Sequence, residues 1–236
     1  MTERDPMEPS AIQIQTRGVE CDRTQIDRLR AQFRDTHHTF LPQLLEPYLV
    51  NFLLRRMENA QWETNIHPEI KEEHVLDDFP AQSLLDFAVN QPGFRQLIEE
   101  ITNTGPLRRF KGRVYRMIPG KGHYDKWHTD VPHFQRLVGM TLNLSPEVFR
   151  GGLFMMRERE SKRVLAEIAN TGLGDALIFR ITPALEHRVS DVEGDKAKTA
   201  FAGWFIADGV EFFEELRQDS EQYRAATSAG AATHKT

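Results

Sequence analysis

A single cysteine, Cys21, stands in a chain of 236 residues. One thiol closes no intramolecular disulfide and builds no paired-cysteine zinc site, so the fold must rest on its core. No apolar run approaches the roughly 18 residues of a membrane-spanning helix, and no membrane partner is expected. A basic excess is missing too: 30 Lys and Arg face 35 Asp and Glu, for a net charge of −5. The basic residues are scattered rather than gathered in a stripe, which argues against a nucleic-acid partner. The opening "MTERDPMEPS" lacks the basic-then-apolar order of a signal peptide, and a cytoplasmic location is the simplest expectation. What is present is ordinary for a globular chain: 39% hydrophobic and 28% charged residues, enough for a real core.

Texture divides the chain. Residues 1–20 read as a flexible start, with "IQIQTR" as one short strand. Helical support is expected over 21–104. Ile26, Leu29 and Phe33 fall on one helical face, and "QLLEPYLVNFLLRRMENA" continues with Leu44, Leu45, Tyr48, Leu49, Phe52 and Leu53 on its inner stripe, with Pro47 marking a start or kink near there. "PAQSLLDFAVNQ" and "PGFRQLIEEITN" each open on a proline, which suits a first helical turn. Over 105–207 the segments are strand-length: "RRFKGRVYRMI", "RLVGMTLNLS", "GGLFMMRE", "KRVLAEIA", "DALIFRI", "EHRVSDV" and "KTAFAGWFIA". Turn residues separate them and leave no room for crossover helices, so an antiparallel sandwich or barrel is favoured. A C-terminal helix over 209–225 and a flexible tail over 226–236 complete a single domain.

The stretch "GHYDKWHTDVPH" carries His-x-Asp twice, as His123-Tyr124-Asp125 and His128-Thr129-Asp130. Glycine and polar neighbours place the first pair, like His133, in a loop. "WHTDV" reads as extended, and on a strand residues i and i+2 face one way, so His128 and Asp130 can aim at one point. A distant strand offers His187, in "ALEHRVSDV", as third ligand. Two imidazoles and one carboxylate on one face of a metal leave positions open, which suits Fe(II) and oxygen chemistry. In "KTAFAGWF", alternation puts Lys198, Ala200, Ala202 and Trp204 on one face, pointing Lys198 inward. A buried cation is costly without an anion, and the distal carboxylate of 2-oxoglutarate would supply one. Lys196 competes for the role. Arg157 and Arg180 are candidate grips for an anionic substrate.

Residues 113–206 resemble the Fe(II)- and 2-oxoglutarate-dependent dioxygenase superfamily, nearest its prolyl-4-hydroxylase-like branch. The matching pieces, in order, are "VYRMIPG", "HTD", "GGLF", "GDALIF", "EHRV" and "GDKAKTAFAGWF". The resemblance implies a double-stranded β-helix, or jelly roll, with N-terminal helices packed on it. It implies His128, Asp130 and His187 as iron ligands, Lys198 as the 2-oxoglutarate anchor, O2 as cosubstrate and ascorbate as a reductant. Met117 stands where the family often has tyrosine, with Tyr115 two earlier on the same strand face; Ala200 stands where it often has a hydroxyl residue. A carboxylate at Asp130 argues for hydroxylation, or for a related desaturation or ring closure, since halogenating relatives carry a small residue there. The expected reaction is hydroxylation of an unactivated C–H bond of a small molecule, with release of succinate and CO2. The rival readings are a non-catalytic metal-binding jelly-roll module, a peptidyl hydroxylase acting on a protein side chain, and a zinc hydrolase. Oligomeric state is left open.

Overall fold

The structure is a computed structural model and describes residues 10–67, 71–121, 126–131 and 136–207. His123, Asp125, His133, the expected helix over 209–225 and the tail over 226–236 lie outside those residues. The elements in chain order are β1 (Ile12–Gln15), β2 (Gly18–Cys21), α1 (Arg23–Thr36), β3 (His38–Leu41), α2 (Pro47–Met57), β4 (Gln61–His67), β5 (Lys71–Asp77), α3 (Phe79–Val89), α4 (Pro92–Thr102), β6 (Leu107–Met117), β7 (Arg136–Asn143), β8 (Arg150–Gly151), β9 (Phe154–Glu158), β10 (Val164–Ile168), β11 (Ala176–Arg180), β12 (Leu185–Val189), β13 (Val192–Glu193) and β14 (Lys198–Ala207).

A seven-stranded sheet runs β3-β11-β7-β14-β6-β5-β4, and β10-β9-β12 forms a smaller sheet opposite. Within both sheets neighbouring strands pair antiparallel. This is the mainly β jelly roll with supporting helices. Local chemistry accounts for the helix ends. Asp22 caps α1 by accepting from the Thr24 amide at 3.0 Å, and His37, in the left-handed region, closes it. Pro92 opens α4 and left-handed Asn103 ends it. Helices α1, α3 and α4 back the large sheet, where Phe110, Phe201 and Phe205 stack at 4.9–5.3 Å.

Period-two alternation along β14 partitions the molecule. Phe201 and Phe205 face the helices and are fully buried there, while Lys198, Ala202 and Trp204 face a cavity between the two sheets. Between the sheets a second cluster holds Phe154, Met156, Leu177, Phe179 and Leu185.

Three expectations need correction. Residues 12–21 form a hairpin rather than a flexible start, because Ile12 and Ile14 are buried and the Ile14 amide donates to the Leu44 carbonyl at 2.7 Å. The stretch 21–104 is not helical throughout: β3 joins one edge of the large sheet, and the β4–β5 hairpin extends the other. Charges spread along residues 61–77 hid the alternation of Trp62, Thr64 and Ile66 in the sequence. Helix α2 starts at Pro47, as that proline suggested, but the expected inner stripe does not hold: the buried face is Val50, Leu53 and Met57, while Tyr48 is 61% exposed and Leu44 and Leu45 are buried ahead of the helix.

Gly139 marks a close approach in this core. A Cβ there would sit 2.1 Å from Cζ of Phe179, its partner on β11. Gly139→Ala is expected to lower stability by about 1–3 kcal/mol in chemical denaturation. Gly93→Ala, whose Cβ meets nothing within 4 Å, is not expected to destabilise. Equal unfolding midpoints for the two variants would refute the packing argument.

Candidate metal centre

His187 lies in mid-β12, and its backbone makes a reciprocal antiparallel bridge with His128. The His128 amide donates to the His187 carbonyl at 3.1 Å, and the His187 amide donates back at 2.8 Å. This bridge sets the two imidazoles side by side, ring centres 4.3 Å apart. Phe179, at 4.7 Å, and Phe154, at 6.0 Å and nearly parallel, fix the His187 ring.

Asp130 arrives by a turn, not by strand alternation as the sequence suggested. Its φ of 58° is in the left-handed region, which Asp tolerates better than most residues, and this swings the carboxylate back toward the histidines. Oδ2 lies 3.2 Å from Nε2 of His187, and Oδ1 lies 3.8 Å from Nε2 of His128. One ligand atom from each of the three residues falls within 4.8 Å of the others.

The surroundings prepare these groups for a cation. Nδ1 of His128 lies 2.7 Å from the Lys126 carbonyl, which can only accept, so in the neutral imidazole Nδ1 carries the proton and Nε2 the lone pair. Nε1 of Trp204 donates to Asp130 Oδ2 at 2.6 Å, and Nη1 of Arg136 donates to Oδ1 at 3.1 Å. The Arg136 guanidinium also stacks 3.5 Å from the centre of the Trp204 ring. Burial pushes the Asp130 carboxyl up, but His187, Trp204 and His128 outweigh it and hold it at about 2. Burial pushes the His187 imidazole pKa down, against the pull of Asp130. The ionised carboxylate and two imidazoles fit a divalent cation such as Fe(II).

The cluster opens on a cavity of about 1010 Å³. Lys198, 3% exposed, reaches the same cavity, where Nζ donates to the Gly152 carbonyl at 2.7 Å. Lys196 turns outward and pairs with Glu147 at 2.7 Å. Tyr115 lines the cavity, directly across the sheet from Ala200. Arg157 is held by Glu186 at 2.7 Å and stacks 4.1 Å from the centre of the Trp127 ring. Arg180 lies away from the cavity, over Phe33. Sequence reasoning missed Trp204 and Arg136 as partners of Asp130. Only the alternation that put Trp204 on the Lys198 face hinted at the first.

Two histidines and a carboxylate inside a jelly roll define a non-haem iron type of site. The family model described as the 2OG-Fe(II) oxygenase superfamily matches residues 112–206, a span that contains the whole cluster and Lys198. Those residues are thus similar to a superfamily whose enzymes use Fe(II) and 2-oxoglutarate. Similar solved structures include a Pseudomonas putida prolyl-4-hydroxylase, at 18% identity and TM-score 0.57, covering 78% of this chain and 100% of that one. A Trichoplax adhaerens prolyl hydroxylase, solved with a hypoxia inducible factor peptide fragment, has 16% identity, TM-score 0.59 and coverage of 78% and 90%. The epimerase SnoN from nogalamycin biosynthesis has 14% identity, TM-score 0.59 and coverage of 79% and 85%. At these identities the likeness is one of fold. No curated protein sequence matches the chain at a significant level. No helix among the described residues is long and apolar enough to cross a membrane.

Trp204→Phe keeps the ring and deletes the donor to Asp130. It is expected to weaken Fe(II) or Co(II) binding about 10–100-fold in an anaerobic titration. Unchanged metal affinity would show that the indole hydrogen bond does not hold the carboxylate for metal.

Proposed function

We propose that the chain is a Fe(II)- and 2-oxoglutarate-dependent hydroxylase acting on an unactivated C–H bond of a small molecule, such as an amino acid or biosynthetic intermediate, and releasing succinate and CO2. The observation that carries this reading is the shared cavity: the His128, Asp130 and His187 cluster and the buried Lys198 open on one space of about 1010 Å³. When bound, iron with 2-oxoglutarate and O2 supplies an oxidant strong enough for such a bond.

The remaining work falls to the chain's own residues. His128, Asp130 and His187 would hold the metal on one face. In the neutral imidazole the Lys126 carbonyl keeps the His128 proton on Nδ1, so Nε2 would be the metal-binding atom. Trp204 and Arg136 hold the Asp130 carboxylate ionised and oriented. Lys198 takes the distal carboxylate of 2-oxoglutarate, an attraction that burial strengthens by excluding water. Tyr115 faces the same ligand, with room left by the small Ala200 across the sheet. Trp127 and Ile66 give the mouth apolar surface.

A cavity of this volume suits a small molecule. A structural neighbour is an epimerase from nogalamycin biosynthesis, which points the same way. Another neighbour was solved with a peptide, so peptides belong in the substrate screen.

Anaerobic Fe(II) and 2-oxoglutarate are expected to give a weak visible charge-transfer band. Lys198→Ala should raise the 2-oxoglutarate requirement by about tenfold or more with little change in iron affinity. Equal loss of both would mark misfolding. A succinate-release screen with Fe(II) and ascorbate, over amino acids, biosynthetic intermediates and peptides, identifies the substrate. Folded protein that binds zinc, gives no band and releases no succinate would sink the reading.

A further inference from the structure

Thr141 sits in mid-β7 and is 7% exposed, with Ala202 of β14 and Leu177 of β11 as its sheet partners. Along β14 the inward residues run Lys198, Ala200, Ala202, Trp204. Thr141 therefore flanks the floor between the Lys198 ammonium and the indole that holds Asp130. It lines the cavity, and its buried Oγ1 has no hydrogen-bond partner among the described residues. Asn170, 3% exposed, lines the cavity beside it. Its Nδ2 donates to the carbonyls of Thr141 and Asp175 at 3.3 and 3.4 Å, while its Oδ1 has no partner among the described residues. Those two carbonyls fix the amide, since a flip would set its oxygen against both.

Thr141 therefore brings to the cavity wall a buried hydroxyl able to donate. A buried hydroxyl is unfavourable unless something accepts from it. On this face β14 offers no hydroxyl, because Ala200 and Ala202 flank the path from Lys198 to the metal cluster. A dianion spanning that path carries only acceptors.

We infer that Thr141 is a cosubstrate-binding residue: its hydroxyl donates a hydrogen bond to a carboxylate oxygen of 2-oxoglutarate lying between the metal cluster and Lys198. The inference rests on the oxygenase reading of the site. Asn170 is a positioning residue. Its amide nitrogen holds the Thr141 backbone through the Thr141 carbonyl.

The test compares wild type, Thr141→Val, Thr141→Ser and Lys198→Ala in anaerobic 2-oxoglutarate titrations of the Fe(II)-loaded protein. The dissociation constant is read from the charge-transfer band, beside metal content and the melting temperature without 2-oxoglutarate. Valine keeps the shape and removes the hydroxyl. It is expected to raise the dissociation constant about tenfold or more, the loss typical of a hydrogen bond to a charged group. Serine should restore binding, metal loading should not change, and the valine variant should melt no lower than wild type. An unchanged dissociation constant in Thr141→Val beside weakened Lys198→Ala overturns this inference alone. So does weakened binding with a lowered melting temperature and no rescue by serine, which marks a structural role. Iron-loaded wild type that binds no 2-oxoglutarate overturns the oxygenase reading beneath it.

Discussion

Two backbone hydrogen bonds between His128 and His187 join a loop to the smaller sheet, and the candidate metal centre depends on that junction. Without it the two imidazoles belong to segments far apart in the chain. With it their rings stand 4.3 Å apart before any cation is considered. The left-handed turn at Asp130 then adds the negative charge, and Trp204 and Arg136 secure that charge from the large sheet. The ligands thus come from the loop and one sheet, and the hydrogen bonds that hold the carboxylate come from the other. A shift of the sheets relative to one another would disturb the carboxylate before the histidines.

The large sheet serves two environments at once because its side chains alternate. On β14, Phe201 and Phe205 are buried against helices while Lys198, Ala202 and Trp204 face the cavity. The aromatic face supplies stability through apolar burial, and that rigidity lets the opposite face hold an ammonium that is 3% exposed. Gly139 and Phe179 link the two demands. The missing side chain on β7 makes room for a ring that also packs on His187, so core packing and imidazole orientation are one constraint.

Much of this was legible in the sequence where period and spacing speak directly. The seven strand-length segments after residue 105 appear as strands because β-branched and aromatic residues alternate between turn residues. The spacing pointed to His128, Asp130 and His187, and their ligand atoms fall within 4.8 Å. Alternation gives Lys196 and Lys198 the same face and left the choice between them open; the two part only because β14 begins at Lys198, while Lys196 pairs with Glu147 at 2.7 Å. Other features left no local trace. The β4–β5 hairpin was hidden by its charges. The aim of Asp130 comes from one positive φ, which no pattern announces. The contacts of Trp204 and Arg136 with Asp130 join separate strands to a loop, and such contacts become visible only when the sheet is assembled.

The β4–β5 hairpin also divides the labour of the molecule. It contributes Asn65, Ile66 and Glu73 to the cavity wall, and Glu73 clasps Arg113 at 2.9 Å, yet it lies wholly before the stretch that matches the oxygenase family. Ile66 lines the cavity while remaining 83% exposed. Part of the cavity wall therefore lies on a length of chain apart from the metal-ligand cluster, so a change in the hairpin can reshape that wall without touching the cluster.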